Sequence, residues 1–197
     1  TIIIYTADHG LAMGSHGLLG KQNVYEQSMR CPLILKGPKV PEGKSSNSFT
    51  YVHDLYATIC DFTNIRQPSE NDSKSLRPIM SGEISRVRDS VFLPFQDNQR
   101  AISNGNWKLH VYPKIDHQLL FNLATDPHEI KNLANDTAYQ SQIEQMLVLM
   151  ESHRTKLNDP YPLSIETPEP KEPNYDNDKR VRDRWQPQWI RDKYFDR

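Results

Sequence analysis

Apolar positions in the first third of the chain come in short blocks. Residues 1–6 carry Ile2, Ile3 and Ile4 in succession before Tyr5. A β-branched run of this kind predicts a strand buried on both faces, as in a parallel sheet flanked by helices. A turn rich in glycine follows (Gly10, Gly14, Gly17, Gly20), and Cys31-Pro32-Leu33-Ile34-Leu35-Lys36-Gly37-Pro38 then reads as a second strand closed by Gly and Pro. Over residues 49–62 the period becomes helical. Leu55, Ile59 and Phe62 fall at i, i+4 and i+7, with Asp54 near the start, where a carboxylate suits the helix dipole. Residues 64–88 are polar and broken around the apolar stretch 76–80, and predict a surface connection.

Alternation returns near Val91. Ala101-Ile102-Ser103, Asn104-Gly105 and residues 106–112 predict a hairpin, Asn-Gly suiting a two-residue turn with positive φ at both positions. Trp107, Leu109 and Val111 point to one face, Lys108 and His110 to the other. Residues 118–123 offer a third strand ended by Asp126-Pro127, and Asp126-Pro127-His128-Glu129 reads as a turn and helix start. Thr137 with Gln140 suggests a capping box opening a long helix. Its stripe of Tyr139, Ile143, Met146, Met150 and Leu157 would pack on the small sheet. From Pro160 the chain turns proline-rich and charged (TPEPKEPNYDNDKR). The last stretch carries Trp185, Trp189, Tyr194 and Phe195, aromatics expected to dock back onto the body.

Composition narrows the classes. A formal charge of −1 with mixed signs gives no footprint for nucleic acid or a membrane surface. No apolar run approaches the ~20 residues of a membrane span. Hydrophobic content of 36% is lean, so some apolar surface is expected to need further chain or a partner to cover it. Cys31 and Cys60 read better as small apolar residues than as a disulfide, and do not fix a compartment. His53 and His153 read as helix-surface histidines.

The chemistry concentrates in residues 1–21. Asp8 and His9 follow the first strand, at the edge where open α/β sheets bind ligands. Adjacent Asp and His can reach one cation only where the chain bends, and Gly10 permits the bend. Asp brings a hard oxygen, neutral imidazole a nitrogen. Gly14, Gly17 and Gly20 let the following loop fold back, so that Lys21 would face an anion bound there. Taken alone, each feature has an ordinary structural reading; the combination is far rarer.

TADHGLAMGSHGLLGKQNVYEQSMRCPLIL resembles the C-terminal metal motif of the sulfatase branch of the alkaline phosphatase superfamily. There Asp-His-Gly leads through Gly-x-His-Gly to a Lys and an apolar strand. HDLYATICDFTNI, SKSLRPIMSGE, RAISNGNWKLHVYP and LFNLATDPHEIKNLA continue the likeness over roughly residues 1–157. The resemblance implies an α/β fold: the C-terminal part of a doubly wound sheet with helices over residues 1–90, and a small antiparallel-sheet lobe packed by one long helix over 91–159. A proline-rich charged tail occupies 160–197.

It also implies roles. Asp8 and His9 would ligate a divalent cation, usually calcium; manganese, zinc or magnesium stays open, because calcium prefers all-oxygen shells and one of the two ligands is an imidazole. Lys21 would bind sulfate oxygens, and His16 would pack the loop or support the site from behind. The nucleophile, a formylglycine made from a Cys/Ser-x-Pro-x-Arg motif, fits neither Cys31-Pro32-Leu33 nor Cys60-Asp61-Phe62. It is expected in an N-terminal half of the same protein, with the remaining metal ligands, so this stretch alone should be inactive. The implied substrate is a sulfate ester, carbohydrate sulfates among them, and the implied compartment is periplasmic, secreted or lysosomal. A phosphonate or phosphate ester hydrolase shares the motif, and a non-catalytic lobe is the alternative of another class. Asp97, Gln99, Arg100 and His110 read equally as residues at the pocket mouth and as ordinary surface or hairpin positions.

Overall fold

The β-branched opening forms a strand, β1 (Ile3–Thr6), in the computed structural model of the protein, which describes residues 1–172 and 187–194. Its partner is β4 (Leu33–Lys36), and the pairing is antiparallel, with Ile3 opposite Lys36 and Thr6 opposite Leu33. Between them lie the two-residue strands β2 (Ala12–Met13) and β3 (Leu19–Gly20) and the single-turn helix α1 (Glu26–Met29). The parallel partner and two-sided burial expected of β1 do not occur within the described residues. Ile3, Tyr5 and Ile34 stand 60%, 63% and 61% exposed, because a two-stranded ribbon covers one face only.

Helix α2 (Asp54–Thr63) forms where the helical period predicted it, but a different face is buried. Ala57, Thr58 and Cys60 go inside, while Ile59 of the expected stripe is 48% exposed. The reason lies at Asp54, which is fully buried and turns the helix toward its own partners. It accepts backbone N–H groups from Tyr51 and Lys74 at 2.7 and 2.8 Å and pairs with both terminal nitrogens of Arg88. Burial alone would raise the Asp54 carboxyl; the Arg88 hydrogen bonds and the two N–H groups outweigh it and hold it low. Inside the stretch read as a plain connection, α3 (Arg77–Met80) makes one turn, and Arg77 pairs with Asp61 of α2 at 2.7 Å.

A four-stranded antiparallel sheet follows: β5 (Val91–Phe95), β6 (Gln99–Ser103), β7 (Trp107–Tyr112) and β8 (His117–Asn122), paired in chain order. The β6–β7 turn is one residue out from the predicted register. Asn104 pairs with Trp107, leaving Gly105 and Asn106 as the central residues. Only Gly105 takes positive φ, at 94°, and the Asn104 side chain accepts the N–H groups of Asn106 and Trp107.

Helix α4 (Gln140–Leu157) packs on one face of this sheet, and Ile143, Met146 and Met150 join Phe92, Ile102, Leu109, Val111 and Leu120 in the core. Leu157 falls outside it, 43% exposed. The start of α4 is capped differently from the expected box. Asp136 accepts the Ala138 N–H at 2.9 Å across a preceding 3₁₀ turn. The sheet is tied to α2 through the Tyr51 hydroxyl, which donates to Phe92 O and accepts from Phe92 N. His153 is half-buried rather than a surface residue, 2.8 Å from Ser90 Oγ. The tail begins by packing: Leu163 meets the core and the Glu169 N–H donates to Lys114 O. In α5 (Gln188–Tyr194) Trp189 is 63% exposed, not docked; Trp185 and Phe195 lie outside the described residues.

Candidate active site

β1 ends at Thr6 and delivers Asp8 and His9 to the strand edge. His9 Nδ1 lies 2.6 Å from Gly10 O. That contact is a hydrogen bond only when Nδ1 carries the proton, which leaves the single ring lone pair on Nε2. Lys21 Nζ donates to Nε2 at 2.7 Å. Asp8 Oδ2 lies 3.2 Å from the same Nε2, and Asp8 Oδ1 accepts the His9 backbone N–H at 3.1 Å. Two acceptors this close repel unless a positive charge lies nearby, and the Lys21 ammonium lies on the His9 side of the pair. The Asp8 side chain is 81% exposed and His9 30%, so the group opens to the surface.

The loop that returns Lys21 depends on its glycines. Ala12 pairs with Gly20 and Met13 with Leu19, and the turn between them holds Gly14 at φ 103° and Gly17 at φ 70°. Gly20 at φ 117° then swings Lys21 back to His9. Gly10 serves another purpose than the expected bend. A Cβ there would lie 2.1 Å from Gln27 O, because the Gly10 N–H bonds Ser28 O at 2.8 Å. Its role is close backbone approach, fixing the Asp8-His9 segment to α1.

As a cation site the pair is incomplete but of suitable kind. An oxygen and a nitrogen 3.2 Å apart match neighbouring ligands of a cation with bonds of roughly 2.1 to 2.4 Å. The Gly10 carbonyl on Nδ1 is the outer hydrogen bond that orients a ligating imidazole. Among the described residues no group of three or more His, Cys, Asp or Glu side chains gathers in a metal-binding arrangement. For a cation, Asp8 and His9 would supply two donors. Cys31 is a free, half-buried thiol whose pKa burial and then the Asp8 charge push up, unlike an activated nucleophile.

A family model described as N-sulphoglucosamine sulphohydrolase, C-terminal, matches residues 14–156. The chain belongs to this sulfatase family. An N-acetylglucosamine-6-O-sulfatase of Bacteroides thetaiotaomicron is 28% identical over 85% of the chain and 32% of its own length. The solved structure of BT4656 with its substrate D-glucosamine-2-N,6-O-disulfate superposes with a TM-score of 0.73 at 26% identity, over 82% of this chain and 35% of that one. A phosphonate monoester hydrolase from Silicibacter pomeroyi gives 0.71 at 25% identity, over 79% and 35%. The chain thus spans about a third of the length of the curated relatives it matches.

In this chain of the sulfatase family the structure brings Asp8, His9 and Lys21 together and places His16 against Tyr25. His16, at φ 55°, stacks on Tyr25 with ring centroids 4.0 Å apart. Of the residues weighed for the pocket mouth, Arg100 is buried on Asp159, Asp97 is paired with Lys114 at 2.7 Å and His110 is fully buried. Gln99 alone reaches the loop, donating to Gln22 O at 3.2 Å.

Sequence reading missed a buried cluster behind the loop. Lys108 Nζ lies 2.8 Å from Glu26 Oε1 and 3.1 Å from Glu129 Oε1, and His110 Nε2 lies 3.0 Å from Glu129 Oε1. Glu129 belongs to an irregular loop, not a helix start. Lys108 and His110 alternate with apolar residues just as solvent-facing positions would, so nothing local marks them. Burial, only partly offset by Glu129, pulls His110 down to about 4 and keeps it neutral.

Proposed function

We propose that this chain is the C-terminal portion of a metal-dependent sulfatase that hydrolyses sulfate esters, sulfated sugars among them. The observation that carries the reading is the convergence of Asp8 Oδ2 and Lys21 Nζ on His9 Nε2 in a chain of sulfatase family. The likeness to an N-acetylglucosamine-6-O-sulfatase and to BT4656 supports a sulfated sugar. Asp8 and His9 would hold a divalent cation, calcium first; of the alternatives the imidazole favours zinc, and the carboxylate favours manganese or magnesium. When bound, such a cation supplies Lewis-acid stabilisation of charge on the ester oxygens. His9 presents its lone pair outward because Gly10 O holds the opposite nitrogen. That lone pair accepts one partner at a time. Lys21 is therefore free to donate to a sulfate oxygen when the lone pair is occupied otherwise, where its positive charge would stabilise negative charge on the sulfate oxygens in the transition state.

The nucleophile, a formylglycine, and the remaining ligands would come from an N-terminal half of the same protein, in a periplasmic, secreted or lysosomal setting. This chain by itself would be inactive. A phosphonate monoester hydrolase is the second reading, favoured by the structural likeness to one at a TM-score of 0.71. The test is turnover of an aryl sulfate against a phosphonate monoester by the complete protein, with Lys21→Ala and Asp8→Ala alongside. Preferential sulfate turnover, reduced at least about a hundredfold in both variants, is expected. Faster phosphonate turnover would establish the second reading, and full sulfate turnover by Lys21→Ala would overturn the site.

A further inference from the structure

Tyr25 stands between the loop and the small sheet. One side of its ring lies on His16, nearly parallel at 12° with centroids 4.0 Å apart. It also meets His110 edge-on at 4.8 Å and Phe121 at 6.0 Å. Behind it, Glu129 uses both carboxylate oxygens. Oε1 takes Lys108 Nζ at 3.1 Å and His110 Nε2 at 3.0 Å, and Oε2 accepts the Glu26 backbone N–H at 2.6 Å. Lys108 also reaches Glu26 Oε1 at 2.8 Å. Lys108 and His110 are 0% exposed and Glu129 1%. Glu129 moreover sits at φ 56°, in the left-handed region that a non-glycine residue occupies at a cost.

For stability alone this is an extravagant joint. Charges taken out of water lose hydration that pairing must return, and apolar side chains of the same volume often serve as well or better. What charges and hydrogen bonds add is direction. Glu129 ties two donors of β7 to the N–H of one residue, Glu26, which follows Tyr25 and lies five positions after Lys21. Apart from Ala12, which is fully buried at its base, the β2–β3 hairpin buries little: Met13 is 75% and Leu19 84% exposed. The tip between them must be placed from outside, and the His16–Tyr25 stack is the contact that reaches it, with the Gln99 bond to Gln22 O holding the far end.

We propose that Glu129 and Tyr25 are positioning residues for the glycine loop. Glu129, held by Lys108 and His110, fixes residues 25 and 26, and the Tyr25–His16 stack sets the loop so that Lys21 meets Asp8 and His9. The inference rests on the reading of Lys21 as the anion-binding residue. Neither residue touches the reacting groups; both act through the loop.

The experiment uses the complete enzyme with 4-nitrophenyl sulfate as substrate and inorganic sulfate as inhibitor. Tyr25→Leu, Tyr25→Phe, Glu129→Gln and Lys21→Ala are compared with wild type, folding being checked by circular dichroism. Tyr25→Leu and Glu129→Gln are expected to lower kcat about ten- to a hundredfold and to weaken inhibition by inorganic sulfate. Tyr25→Phe, which keeps the stack, should stay within about twofold of wild type. If Glu129→Gln fails to fold, Tyr25→Leu still decides, because it strands no buried charge. A folded Tyr25→Leu enzyme with wild-type kcat and sulfate inhibition, beside an inactive Lys21→Ala, overturns the proposal and leaves the site reading standing. Wild-type turnover by Lys21→Ala overturns the site reading, and the proposal with it.

Discussion

Gly10 carries a constraint that no surface view of the loop reveals. Its Cα faces the Gln27 carbonyl so closely that any side chain must push α1 away from the Asp8-His9 segment. Gly10→Ala is therefore expected to destabilise the protein by about 2 kcal/mol or more, seen as a lower urea midpoint at unchanged slope. At this scale the sequence was informative where chemistry sits next to a chain reversal. Asp8, His9 and Lys21 were legible because a strand end, glycines and three unlike polar groups fall within fourteen residues. Glu129 was not, since a carboxylate in a turn is the commonest of surface residues and its partners lie in β7 and α1, far off in sequence. Arg100 and Asp159 repeat the point. They form a buried pair at 2.7 Å across 59 residues, with nothing in either neighbourhood to announce it.

Periodicity served the elements unequally. The stripe on α4 placed Ile143, Met146 and Met150 correctly in the core, because a long helix against a single sheet has one face to bury. It failed at Leu157, where the helix has run past the sheet. Met146→Ala should cost about 2 to 5 kcal/mol, and Leu157→Ala less than about 0.5, in the same chemical denaturation experiment. The period on α2 misled for a physical reason. Asp54, with Arg88 and two backbone N–H groups, fixed the helix's rotation more strongly than Ile59 and its neighbours did. The turn between β6 and β7 also shifted by one residue. Asn104 could satisfy two N–H groups through its side chain from outside the turn, which left Gly105 alone to take positive φ.

For the molecule as a whole, the small sheet is buried on both faces: by α4 on one and by residues 25 and 26 with Glu129 on the other. His110 sits in that second interface and is held neutral, its pKa drawn by burial from 6.5 to about 4. Between those values the unfolded chain binds the proton that the folded one refuses. Stability should hence fall as pH drops from about 6.5 to about 4 and stay level above, by up to on the order of 3 kcal/mol from this group. Urea unfolding of wild type and His110→Gln across that range checks it, the variant showing the shallower slope. The depressed carboxyls Asp54, Glu129 and Asp159 add their losses at lower pH, as each is protonated.

By itself the sequence determined the order of the longer strands and helices (β1, β4, α2, β6 to β8 and α4), the core of α4 on the sheet and the meeting of Asp8, His9 and Lys21. Those follow from hydrophobic period, glycine and proline, and interactions within a few residues. Tertiary structure alone decided that β1 pairs antiparallel with β4, that α2 turns on a buried aspartate, and that Lys108, His110 and Glu129 support the loop from within. Each of these depends on which side chains meet across dozens of residues. An alternation of polar and apolar positions reads the same whether its polar side faces water or an opposite charge.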